Sequence, residues 1–145
     1  MKRYHITAAE GARERIELEA LCCGADYSVT ICGGTRYHVG AVAYACAETE
    51  PGSLPGHRAT VSVICGFGHR DDEVCRWAAR YLATELNCSV SVSAGIHIDH
   101  AAPDEIGLLV ENCKRACERL VLQISGETES RFSPAPSPPN GTKGA

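Results

Sequence analysis

No apolar run in this 145-residue chain approaches the roughly 20 residues that a membrane-spanning helix needs. The first residues, Met1-Lys2-Arg3-Tyr4-His5, lack the apolar stretch of a secretion signal, so the expected location is the cytoplasm. Basic residues are in deficit. Fourteen Lys and Arg against 18 Asp and Glu leave a formal net charge of −4, with no basic stripe to meet nucleic acid. Common catalytic signatures are missing as well: there is no Walker loop, no G-x-S-x-G and no H-E-x-x-H. Gly66 and Gly68 lack the third glycine and the βαβ setting of a dinucleotide fingerprint. No internal repeat is visible.

Cysteine is abundant, with nine in the chain, but no pair has C-x-x-C spacing. An odd count without a secretion signal argues against a disulfide framework. Cys22, Cys32, Cys46, Cys65 and Cys88 fall in strand patterns, and Cys75, Cys113 and Cys117 in helix patterns. They read as small hydrophobes of a reduced core.

Period-two alternation marks five strands, at Ile16–Cys22, Tyr27–Cys32, His38–Ala45, Thr60–Cys65 and Cys88–Ala94. Short glycine-led turns separate the earlier ones, and a loop from Glu48 to Arg58 carries Pro51-Gly52 and Pro55-Gly56. The first four of these strands are expected to form an antiparallel meander. One helix is predicted from Asp72 to Leu86, with Asp71 or Asp72 as its cap and Val74, Ala78 and Leu82 as its stripe. A second begins at Pro103, and Ile106, Leu109, Val110, Cys113, Cys117 and Leu120 follow helical spacing. Both stripes need an apolar sheet face. The predicted fold is therefore α+β, a mainly antiparallel sheet of five or six strands with two helices on one face. The other face would show Glu17, Glu19, Ser28, Thr30, Ser62, Ser91 and Ser93. The domain is expected to span residues 1–125. Residues 126–145, rich in Pro, Ser and Gly, cannot bury enough apolar surface to offset chain entropy and read as a disordered tail.

Two strand-to-helix junctions concentrate the reactive side chains. One is Cys65-Gly66-Phe67-Gly68-His69-Arg70-Asp71-Asp72, and the other is Ala94-Gly95-Ile96-His97-Ile98-Asp99-His100. If their strands run in the same direction, both junctions lie at one sheet edge, each followed by a helix N-terminus with free N–H groups. His97 and Asp99, like His69 and Asp71, are two apart and share a face when extended. His38 opens the third predicted strand, after Gly33-Gly34. Imidazole with carboxylate suits a divalent metal such as zinc or iron, with His38, His69, His97 and Asp99 as candidate ligands. The same groups suit proton handling near neutral pH. They also suit helix capping and loop anchoring, with His5, His57 and His100 as plain surface residues.

Several runs together resemble a known family. They are 24–34 (Gly-Ala-Asp-Tyr-Ser-Val-Thr-Ile-Cys-Gly-Gly), 38–43 (His-Val-Gly-Ala-Val-Ala), 68–71 (Gly-His-Arg-Asp) and 94–99 (Ala-Gly-Ile-His-Ile-Asp). This combination is similar to the LpdD-like small-subunit family of prenylated-flavin chaperones, which accompany UbiD-type decarboxylases. The family's domain is related to bacterial homologues of proteasome assembly chaperones. The resemblance covers Ile16 to Leu122. It implies a non-catalytic carrier that binds reduced prenylated flavin mononucleotide (FMN) and loads a UbiD-type decarboxylase. By the same resemblance, cofactor-binding positions are Gly33, Gly34, His38, His69, Asp71, His97 and Asp99; on physical grounds Arg36 or Arg70 would add positive charge for a phosphate. Two other readings stand beside it. One is a metal-dependent enzyme using the His/Asp cluster. The other is an interaction subunit without a small-molecule ligand, using the polar sheet face or an edge strand, which also offers a route to a homodimer.

Overall fold

The structure, a computed structural model, describes residues 1–48 and 58–132. Six strands and two helices follow in the order β1 (Arg3–Ala8), β2 (Ile16–Cys23), β3 (Asp26–Gly34), β4 (Ala41–Ala47), β5 (Ala59–Cys65), α1 (Asp72–Leu86), β6 (Ser89–His97) and α2 (Pro103–Phe132). The α+β class and the two helices match the sequence expectation.

Strand β1 is the one that the pattern reading missed. Its register is nonetheless regular: Tyr4, Ile6 and Ala8 are buried while Arg3 and His5 face out. It pairs antiparallel with β2, Ile6 opposite Leu18.

The sheet order is β1-β2-β3-β6-β4-β5, which corrects the expected meander. Strand β6 inserts between β3 and β4, parallel to β3 and antiparallel to β4. The physical reason is burial. Val90, Val92 and Ala94 are fully buried and Ser89, Ser91 and Ser93 are half-buried, so β6 needs a partner on both sides. Because β4 runs antiparallel to both β5 and β6, those two strands point the same way, and α1 forms the crossover between them.

The helices share one face. Helix α1 packs on β4, β5 and β6, and α2 on β1, β2 and β3. Small residues permit a close approach under α1, with Ala41, Ala43 and Ala45 of β4 and Ala78, Ala79 and Ala83 of α1 all buried in the shared core. The buried line of α1 is Cys75, Ala78, Ala79, Leu82 and Ala83, turned from the expected stripe, so that Val74 is only half-buried. The Trp77 and Tyr81 rings stack at 4.9 Å on the rim of the core. On α2, Leu109, Cys113, Ala116, Cys117, Leu120 and Ile124 are buried. The nine cysteines are all free.

Three boundaries differ from expectation. Helix α2 continues to Phe132, past the expected end of the domain at residue 125. The carboxylate of Glu127 there reaches Lys2 and the Tyr4 hydroxyl on β1, and the Thr128 hydroxyl donates to Ile124 O at 3.1 Å. The Glu127 contacts tie the polar end of the helix to the beginning of the chain. Strand β4 starts at Ala41, which leaves His38 in the preceding loop. Strand β6 runs on to His97, because Gly33 and Gly34 of β3 continue the parallel pairing opposite Ile96 and His97. The loop expected between Glu48 and Arg58 falls on 49–57, which includes His57, and the rest of the tail on 133–145. Both lie outside the described residues. Among the described residues no helix is long and apolar enough to cross a membrane.

The open face of the sheet is less uniformly polar than expected. Ser28, Thr30 and Ser62 are exposed there, but so are Val42, Tyr44 and Ile64.

Candidate functional site

Sheet order decides where the reactive residues meet. Strands β3, β5 and β6 all end at one rim, and antiparallel β4 begins there. Segments 35–40, 66–71 and 98–102 therefore emerge side by side. The two strand-to-helix junctions do share an edge, and the loop that carries His38 joins them.

Asp71 sits at the centre and is buried, with 6% of its surface exposed. It occupies the cap position of α1, yet its side chain makes no capping bond. The carboxylate turns inward instead. One oxygen, Oδ1, accepts from the Ile96 backbone N–H at 3.0 Å. The other, Oδ2, lies 3.2 Å from His38 Nε2 and 3.6 Å from His69 Nδ1. The His38 and His69 rings stack, with centroids 4.9 Å apart, and His97 stands edge-on to His38 at 6.3 Å. Donor atoms of His38, His69 and Asp71 all lie within 4.8 Å of one another.

His97 belongs to a second, more exposed group. Its Nε2 is 2.8 Å from Asp99 Oδ1 and 3.3 Å from Arg36 Nη2. A single ring nitrogen serves these two contacts as alternatives: it donates to Asp99 when protonated and accepts from Arg36 when not. The hydrogen bond from His97, supported by the nearby charge of Arg36 and His100, holds the Asp99 carboxyl below its ordinary range.

Glycines seat the inner group. A Cβ at Gly40 would come within 1.9 Å of Asp71 Oδ2, one at Gly66 within 3.1 Å of His69 Cδ2, and one at Gly95 within 1.9 Å of His38 O and 3.1 Å of its ring. Each of the three side chains fills space that a glycine leaves empty. Gly33 and Gly34 have a different task. A Cβ at Gly33 would meet Ile16 and Arg15 O within 2.5 Å, and one at Gly34 would meet His97 O at 2.0 Å. They let the chain pack on itself, and neither lines the cavity that opens here.

That cavity, with a volume of about 770 Å³, is within the usual range for small-molecule sites. Of the eight residues expected to bind a ligand, His38, His69, Arg70, Asp71 and His97 line it, while Gly33, Gly34 and Asp99 do not. Arg36 also lines it, as do Val74, Ile96, Ile98, Ile106, Leu109 and Val110, which form an apolar wall. The wall was hidden in the sequence because Ile106, Leu109 and Val110 read as one helix stripe. Leu109 is buried while Ile106 is 53% exposed, so the stripe enters the core only after its first turn. Much of the lining is thus greasy. The lining also includes two guanidinium groups, three imidazoles and the carboxylates of Asp71 and Glu73.

Residues 10–125 match the sequence model of the prenylated flavin chaperone LpdD-like domain family. Among curated proteins, no sequence match was found. A chain from the crystal structure of a chaperone complex for yeast 20S proteasome assembly is similar at a TM-score of 0.47 and 15% identity, over 88% of this chain and 98% of that one.

Proposed function

Because the chain belongs to the prenylated flavin chaperone LpdD-like domain family, we propose that it is a carrier that binds reduced prenylated FMN in the rim cavity and passes it to a UbiD-type decarboxylase. The observation that carries this reading is that one cavity is lined both by apolar side chains and by the guanidinium groups of Arg36 and Arg70 with three imidazoles. A prenylated flavin mononucleotide asks for both kinds of group, since it joins a greasy ring system to a phosphate dianion. Val74, Ile96, Ile98 and Leu109 would take the ring system. Arg36 and Arg70 would take the phosphate, since guanidinium groups match its oxygens with paired N–H donors. The imidazoles of His38, His69 and His97 would meet the polar edge of the ring.

The bound cofactor would supply the decarboxylase with its reactive centre. The chain's own residues would bind it, orient it and limit its exposure to solvent. None of them needs to move a proton for that task. Anaerobic titration of reduced prenylated FMN into the purified full chain tests the reading. Saturable uptake near one cofactor per chain is expected. Replacing both Arg36 and Arg70 by Ala should weaken it about tenfold or more, because a hydrogen bond to a charged group contributes about 1.5–3 kcal/mol. Absence of uptake, or uptake indifferent to the arginines, counts against the cavity as the binding site.

A further inference from the structure

The geometry points to a site for a divalent first-row transition metal ion, held by His38, His69 and Asp71 at the floor of the cavity. Two imidazoles and one carboxylate are a ligand set that suits zinc, iron(II) or cobalt(II) and leaves coordination positions open. For metal–ligand distances of about 2.0–2.1 Å, tetrahedral neighbours stand roughly 3.3 Å apart. The observed separations from Asp71 Oδ2, 3.2 Å to His38 Nε2 and 3.6 Å to His69 Nδ1, bracket that spacing.

Two further features belong to a built site. The Asp71 carboxylate is oriented by the Ile96 N–H on its other oxygen, as ligating carboxylates usually are. Gly40 leaves room for the Asp71 carboxylate, and Gly66 and Gly95 leave room beside the His69 and His38 rings, so close packing seats the set although the His69 ring stays partly exposed. Asp99 and His97, attractive from sequence spacing, pair with each other outside this set. Because His38, His69 and Asp71 all line the cavity, the open positions would face its contents. An oxygen- or nitrogen-bearing ligand in the cavity could then complete the coordination sphere.

The test uses the untagged full chain, freed of metal by chelator and titrated with zinc(II) and cobalt(II) in the absence of flavin. It therefore succeeds or fails independently of the carrier reading. One equivalent should bind, and cobalt(II) should give the intense visible bands of a low-symmetry site. His69→Ala, at an exposed ring, and Asp71→Asn, which keeps an acceptor for Ile96, should each weaken binding by more than about a hundredfold. Losing merely a supporting partner of a ligand costs roughly 10–100-fold. His5→Ala, at the distant β1 edge, should bind as the parent does. Failure of the folded parent chain to bind either ion, or parent-like affinity in the His69 and Asp71 variants, would overturn the proposal.

Discussion

The carboxylate of Asp71 and the imidazole of His38, 33 residues apart in the chain, face each other at 3.2 Å beneath the sheet rim. This pair fastens the loop before β4 to the start of α1. Through Ile96 it also fastens both to the end of β6. The binding side of the cavity depends on that junction.

Asp71→Ala should therefore destabilise the fold by about 1–3 kcal/mol, since it strips a half-buried N–H of its acceptor and a half-buried imidazole of its partner. Asp71→Asn should cost less, because its Oδ1 can still accept from Ile96. Urea denaturation followed by circular dichroism measures both. Equal midpoints for the two variants and the parent would show that the junction contributes nothing.

The glycines make opposite predictions by position. Gly95→Ala drives a methyl against the His38 carbonyl at 1.9 Å, and backbone cannot swing aside as a side chain can. A loss of about 1–3 kcal/mol or more is expected. Gly107→Ala, on α2 with nothing within 4 Å of the added Cβ, should instead gain about 0.5–1 kcal/mol from helix propensity. Thermal melts of the two variants should shift in opposite directions.

Thiol chemistry should divide by depth. Burial pushes the Cys75 and Cys88 thiols up to about 11 and Cys113 up to about 12, and raises Cys117 as well. A neutral thiol is a poor nucleophile. Brief alkylation of the native protein at neutral pH should label exposed Cys23, Cys46 and Cys65 and spare Cys75, Cys113 and Cys117. Peptide mass mapping reads the pattern.

The same shifts set an alkaline limit. Each folded value lies above the ordinary 9.0, so above pH 9 the unfolded chain releases protons that the folded chain retains. Tyr27, raised by burial from 10.0 to about 12, acts in the same direction. Stability from these groups is complete below pH 9 and is lost as the pH climbs through 11 to 12. Denaturation midpoints should fall steadily across that window. A flat profile would contradict the burial of these thiols.

Much of the fold was legible because its signals are local. Helix α1 was bounded correctly by its own periodicity, and α2 by Pro103 at its start. Strand β1 was missed because Tyr4, Ile6 and Ala8 are too few to stand out without their partner strand. The placement of β6 between β3 and β4 was not legible at all, since strand order is decided by which faces must be covered. At the site, the residues themselves brought out His38, His69, Asp71 and His97, and the family resemblance named the same four. It could not show that Asp71 turns from the helix it precedes towards two imidazoles. Nor could it show that Gly40, Gly66 and Gly95 are empty for the sake of those side chains.

The most direct test of the carrier account is an anaerobic binding titration that compares reduced prenylated FMN with the same flavin after oxidation, on the parent chain and on the Arg36→Ala, Arg70→Ala double variant. The account predicts saturable binding of the reduced cofactor by the parent and clearly weaker binding by the variant. Parent and variant chains that both ignore the reduced cofactor, or that bind it identically, would contradict it.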